Sequence, residues 1–202
     1  MNRLFGPIPN SALHLVVDMQ EMFRSHPDWG SGVLNGVIPS IRRLLEARPD
    51  NAYFSRFIPP QRADHANGTW QRYYRRWSSV TLDNLDPGQV AIVRELRPWA
   101  KRVADKIGYS AMANSVLRQA AISSSDHCMI VSGVETDVCV LSTVMEAVDA
   151  GLRVILATDA LASSSEACHE KALAILHDRF DEQIELATVD QILTAWQRDA
   201  AQ

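Results

Sequence analysis

Cys139 is placed where a thiol can react. The run Cys128-Met129-Ile130-Val131 is short, apolar and β-branched, as a buried parallel strand should be, and helical spacing follows over 140–150. A helix beginning near Val138 puts Cys139 in its first turn. Unpaired backbone N–H groups and the positive dipole end there favour a thiolate and can receive an oxyanion. Two charged residues stand at comparable positions: Asp18 closes His14-Leu15-Val16-Val17-Asp18, and Lys106 follows Val103-Ala104-Asp105. A carboxylate beside a thiol can take its proton and return it to a leaving group, while an ammonium stabilises developing negative charge. Each residue also has a plainer reading. Free cysteines are commonly buried and inert, strand-end aspartates cap turns, and lone lysines are solvated. Taken singly, the residues leave both readings open; the joint pattern favours chemistry, provided that the three converge.

The elements that must position them alternate. Strands are expected over 12–18, 52–57, 91–95, 128–132, 154–158 and 184–187, with helices over 33–47, 112–122, 138–149, 165–180 and 189–197. This is the βαβ pattern of an α/β fold with a largely parallel sheet and right-handed crossovers, whose ligands gather at the carboxyl ends of the strands. The exception is 59–88, a polar and aromatic insertion holding Trp70, Tyr73, Tyr74 and Trp77 among arginines. A helix over 69–77 is expected within it, and a lid or subunit contact fits its length.

The 202 residues, 47% hydrophobic and 22% charged, suit one globular domain spanning 1–202 with a substantial core. A net charge of −4 gives no broad basic surface for nucleic acid, and the insertion's aromatics and arginines lack any RNA-binding motif. No apolar run reaches the roughly 18–20 residues that span a bilayer. The first ten residues, with Gly6, Pro7 and Pro9, do not resemble a secretory signal, so a cytoplasmic location is expected. Three cysteines without CxxC spacing disfavour a disulfide framework or zinc finger. Cys128 reads as a core residue and Cys168 as packing or surface on a helix, leaving Cys139 with the activating setting.

Leu15-Val16-Val17-Asp18-Met19-Gln20, the Lys106 segment and Gly133-Val134-Glu135-Thr136-Asp137-Val138-Cys139-Val140 resemble the three signatures of the isochorismatase-like cysteine hydrolases, in the same order. The third is specific; the first two alone are not. The resemblance continues through Asp159-Ala160-Leu161-Ala162-Ser163-Ser164-Ser165 and so covers most of the chain. It implies a Rossmann-like three-layer α/β sandwich with a six-stranded parallel sheet and an Asp18-Lys106-Cys139 triad at its carboxyl edge. It also implies an oxyanion hole from the N–H groups of Glu135 and Cys139, a cis peptide between Val134 and Glu135, and a homodimer or homotetramer. In amide-cleaving members the cysteine forms an acyl-enzyme.

Nicotinamidases in this family carry a metal-holding Asp-x-His after the second strand. The corresponding Tyr53-Phe54-Ser55-Arg56-Phe57 has neither group, and Asp64 and His65 are adjacent rather than alternating, so no metal or other cofactor is expected. Arg56 is instead a candidate for binding a substrate carboxylate, with a surface ion pair as its plainer role. Trp70, Tyr73, Trp77 and Tyr109 are candidate pocket walls, with packing or a dimer contact as the alternative. The leading expectation is a metal-independent cysteine hydrolase cleaving an amide or related C–N bond of a small molecule. A vinyl-ether hydrolase of the isochorismate type and a catalytically silent scaffold are the competing readings.

Overall fold

The computed structural model describes residues 4–196. Six parallel strands form one sheet in the order β3-β2-β1-β4-β5-β6: β1 Leu13–Val17, β2 Ala52–Phe57, β3 Val103–Lys106, β4 Cys128–Val134, β5 Arg153–Ala162 and β6 Ile184–Ala187. Alternation along the central strands sorts their side chains between two cores. Leu13, Leu15 and Val17 of β1, with Met129 and Val131 of β4, pack with Leu117 of α4 (Ser115–Ser123), Val144 of α5 (Leu141–Asp149) and Leu176 of α6 (Glu166–Arg179). Val16, Ile130 and Ile155 face the other way, onto α2 (Leu34–Ala47) and α7 (Val189–Ala195). Both faces of the sheet are therefore dry, which is why its strands read as continuous apolar runs. Two further helices, α1 (Glu21–Ser25) and α3 (Thr69–Arg76), lie in the connections at the carboxyl edge, α3 close to the helix expected within the insertion.

The expected third strand is the main correction. The run 91–95 lies outside the sheet: Ile92 forms an isolated antiparallel bridge with Gln20, and the Val93 N–H donates to the Met19 carbonyl at 2.9 Å. Its Ile92 and Val93 are buried in the α2 core, and that burial is what its apolar composition recorded. The true β3 is the sheet edge, bonded only to β2, and its alternate residues face solvent, so its composition is too polar to stand out. Lys106 is its last residue rather than a residue beyond it. The other boundaries move by small amounts, except that β5 runs on to Ala162, which carries the following serines toward the site. The end of the last expected helix, Gln197, lies outside the described residues.

Gly133 is required by the approach of β4 to β1. Its φ is +113°, and a methyl group there would sit 2.1 Å from the Val17 carbonyl oxygen. This contact fixes the end of β4 against the residue before Asp18.

One buried polar pair gives the fold an acid limit. His14 is fully buried in β1, its Nε2 is 2.9 Å from Ser132 Oγ, and burial pushes its pKa from 6.5 down to about 3. The unfolded chain therefore binds a proton below pH 6.5 that the folded protein refuses, so this site's contribution to stability is complete above 6.5 and falls away toward pH 3. Two pH units at about 1.4 kcal/mol each predict a loss of about 2–3 kcal/mol from this site between pH 6.5 and 4.5. Urea unfolding should show His14→Gln, which keeps a partner for Ser132, losing correspondingly less stability than the wild type over that range.

Candidate active site

Strand order reverses between β1 and β4, with β2 and β3 built out to one side and β5 and β6 to the other. Connections diverge at such a point and leave a crevice beyond the carboxyl ends of the two strands. Asp18 follows β1 and Cys139 follows β4, so both reach this crevice from its two sides. Lys106, at the end of β3, is two strands away and pairs in register with Phe57 of β2. Its long side chain crosses above β2, with Nζ 5.0 Å from the Phe57 ring centroid.

The three residues meet. Lys106 Nζ lies 2.7 Å from Asp18 Oδ2 and 3.3 Å from Cys139 Sγ, and it also donates to the Gly108 carbonyl at 3.0 Å. The Asp18 and Lys106 side chains are each 1% exposed, whereas Cys139, at 6%, lines the open cleft above them. Asp18 has a φ of 49°, a left-handed conformation that aspartate tolerates better than most residues. Ser55 of β2 holds it twice, donating to Oδ1 at 2.6 Å and accepting from the Asp18 N–H at 3.2 Å.

The turn carrying Cys139 is not the plain helix start that its spacing predicts. The Val134–Glu135 peptide is cis, and Thr136–Val140 form a π-helical turn before α5. Thr136 Oγ1 donates to the Ala162 carbonyl at 3.1 Å, and Thr143 Oγ1 donates to the Cys139 carbonyl at 2.6 Å. The same Thr143 oxygen accepts from the Ala111 N–H at 2.9 Å, which ties the cysteine's backbone to the segment following Lys106.

The electrostatics also differ from the expected preformed thiolate. Burial pushes the Cys139 thiol above its ordinary range, the Asp18 carboxylate pushes it further, and Lys106 offsets only part of this. For Lys106, burial works against the charged form, but Asp18 and Cys139 outweigh it and hold the ammonium above the usual lysine range. The arrangement is thus a neutral thiol beside a carboxylate–ammonium pair. Cys128 is sealed in β4, where burial raises its thiol to about 12, and Cys168 is half-buried on α6. Access and partners, rather than acidity, distinguish Cys139 from Cys128.

The cleft holds about 330 Å³. Of the expected walls, Tyr73, Trp77 and Tyr109 line it; Trp70 sits behind them, its ring centroid 4.9 Å from that of Tyr109 and 5.2 Å from that of Tyr73. Arg56 is elsewhere. Its guanidinium makes a two-pronged pair with Asp105 across β2 and β3, at 2.7 and 2.8 Å, and it is not among the cleft's walls. The side chains at the end of β2 offer no metal-ligand set: Ser55 holds Asp18, Arg56 is paired and Phe57 is a ring. Among the described residues, no group of three His, Cys, Asp or Glu could hold a metal ion.

Several contributors escaped the sequence reading. Phe23, Asp28, Trp29 and Phe57 line the cleft, and so does Glu135, which the resemblance names for its backbone N–H and not for its carboxylate. Glu135 Oε2 accepts from both the N–H and the hydroxyl of Ser164, at 2.6 and 2.8 Å. Gln20 fixes Phe57 by accepting from its N–H at 2.7 Å and donating to its carbonyl at 3.0 Å. Two signals were available: Ser55 interrupts an apolar strand, and Trp29 lies in the connection after β1, where an α/β sheet gathers its ligands.

A model of the isochorismatase domain matches residues 12–188. Nicotinamidase 3 of Arabidopsis thaliana is 30% identical over 171 residues, which cover 82% of this chain and 81% of that protein. Among solved structures, a cysteine hydrolase from Pseudomonas syringae pv. phaseolicola superimposes with a TM-score of 0.74 at 22% identity, covering 96% of each chain. The nicotinamidase of Bacillus subtilis superimposes with a TM-score of 0.63 at 19% identity, covering 87% of this chain and 99% of that one. With a domain match extending from the first strand to the start of the last helix, the chain belongs to the isochorismatase family and is a hydrolase.

Proposed function

We propose that the protein is a metal-independent cysteine hydrolase that cleaves an amide or related C–N bond of a small molecule through an acyl-enzyme on Cys139. The observation carrying this reading is Lys106 Nζ, which touches Asp18 Oδ2 and Cys139 Sγ together beneath the cleft. A neutral thiol needs a base at the moment of attack. Asp18 takes the proton as Sγ bonds to the substrate carbonyl, Lys106 balances the charge, and the N–H groups of Glu135 and Cys139 receive the oxyanion. The protonated Asp18 then gives its proton to the departing nitrogen. Water, deprotonated by the same carboxylate, attacks the thioester and releases the acid, and the proton returns to sulfur.

A panel of small amides, ureas and carbamoyl compounds, assayed beside isochorismate, tests the reaction class. Release of ammonia or an amine from panel members, with isochorismate left intact, is the expected outcome. Turnover of isochorismate alone would favour vinyl-ether hydrolysis, in which Asp18 acts as an acid and Cys139 is not needed.

A further inference from the structure

The cleft over Cys139 has an unbalanced lining. Asp28 and Glu135 contribute carboxylates, and no lysine, arginine or histidine is among its walls. Among the described residues, neither carboxylate forms an ion pair. The two hydrogen bonds to the Glu135 carboxylate fall on Oε2 and come from the neutral Ser164. Burial raises the Glu135 pKa, the two hydrogen bonds from Ser164 offset part of this and the nearby Asp137 adds to it, so the carboxylate carries a desolvation cost that no ion pair among the described residues offsets.

Facing these acids is a box of ring faces. Trp29 is its hub, with centroids 6.1 Å from Phe57, 6.0 Å from Tyr73 and 6.5 Å from Trp77, each ring inclined to it by 49° to 68°. These rings pack on one another, with Phe23 stacked on one face of Trp29 at 5.9 Å, and all five line the cleft, so an occupant meets their edges and remaining faces together. The chain itself uses two of these rings in that way: the Arg76 guanidinium lies 5.0 Å from the Trp77 centroid, and Lys106 Nζ lies 5.0 Å from that of Phe57.

We propose that this cleft selects a cationic substrate, a small amide or related C–N compound in which a compact ammonium group sits among Trp29, Tyr73 and Trp77 and opposes the carboxylates of Glu135 and Asp28. The inference rests on the reading that the cleft over Cys139 is the reaction site, and it names the substrate class of that site. It replaces the carboxylated substrate that a free Arg56 would have suited. A substrate carboxylate would meet two acids among the walls, and the one cation close by, Lys106, lies beneath Cys139 already paired with Asp18, whereas an ammonium gains an ion pair and ring faces together.

Three compact probes of similar shape test the choice: tetramethylammonium, neopentyl alcohol and pivalate. Occupancy is read as protection of Cys139 from iodoacetamide, with labelling of Cys168 as the internal reference, and independently as a change in tryptophan emission. Tetramethylammonium should act at concentrations about tenfold or more below those of the neutral and anionic probes, and potassium at equal ionic strength should not replace it. Glu135→Gln should weaken its effect several-fold, and the exposed Asp28→Asn gives a second test if the first variant folds poorly. Equal or better effects from neopentyl alcohol or pivalate would overturn the proposal, as would an unchanged tetramethylammonium response in both variants. Failure of the acyl-enzyme reading is separate, since it appears as hydrolysis retained in Cys139→Ala.

Discussion

Cys139→Ala is expected to lower kcat for every hydrolysed substrate by about 10⁴-fold or more, because the proposed mechanism then loses its bond-forming atom and keeps only binding and polarisation. The change should leave the fold intact. Alanine is smaller than cysteine, and Lys106 keeps its contacts with Asp18 and Gly108. Thr143 still holds the backbone carbonyl at position 139. Cys139→Ser should be nearly as inactive, since a hydroxyl is a far weaker acid than a thiol and gives up its proton far less readily during attack. Thermal unfolding close to that of the wild type, beside lost turnover, separates loss of chemistry from loss of structure.

Asp18→Asn is expected to move turnover and thiol reactivity in opposite directions. Hydrolysis should fall about 10²- to 10⁴-fold, the usual worth of a positioned proton-transfer group, because the amide cannot take the thiol's proton. The same substitution removes the negative charge that helps hold the Cys139 thiol above its ordinary range. It also leaves the buried Lys106 ammonium without its carboxylate, a loss that costs about 3–5 kcal/mol in buried pairs unless another anion replaces it. Cys139, 3.3 Å from Nζ, is that anion. Each unit by which its pKa falls gives about tenfold more thiolate below the titration midpoint, so iodoacetamide should label Cys139 faster in the variant while hydrolysis nearly stops. A thiolate stabilised by the helix start alone would show no such opposition, because Asp18 would not control it.

Sequence patterning reached the catalytic candidates through chain order and the sheet through its dry central strands. Buried on both faces, β1 and β4 are apolar throughout, and residues closing such runs at a strand reversal are pointed at the crevice. The edge strand was harder, because half of β3 faces solvent and the buried loop at 91–95 imitates it. The expected thiolate failed for a different reason. Helical spacing registers an N-terminus, but it carries no information on burial or on the distance to Asp18, and those two decide the protonation state here. For Arg56 the sequence leaves a substrate contact and a surface ion pair both open, because the partner that decides for the ion pair, Asp105, lies on a neighbouring strand 49 residues away. Trp29 is signalled only by its place after β1, and the Glu135 carboxylate becomes visible as a wall only once the fold brings the loops after β1 and β4 to one cleft with Tyr73 of α3.

The central claim is that Cys139 carries the acyl group. The most direct measurement uses p-nitrophenyl acetate, an activated ester that can acylate a nucleophilic cysteine whatever amide the enzyme prefers, with intact-protein and peptide mass spectrometry after a rapid acid quench. One acetyl group per chain should appear on the peptide containing Cys139, together with a burst of nitrophenolate, and both should be absent from Cys139→Ala. Nitrophenolate released at equal rates by the wild type and Cys139→Ala, with no acetyl on that peptide, would contradict the account.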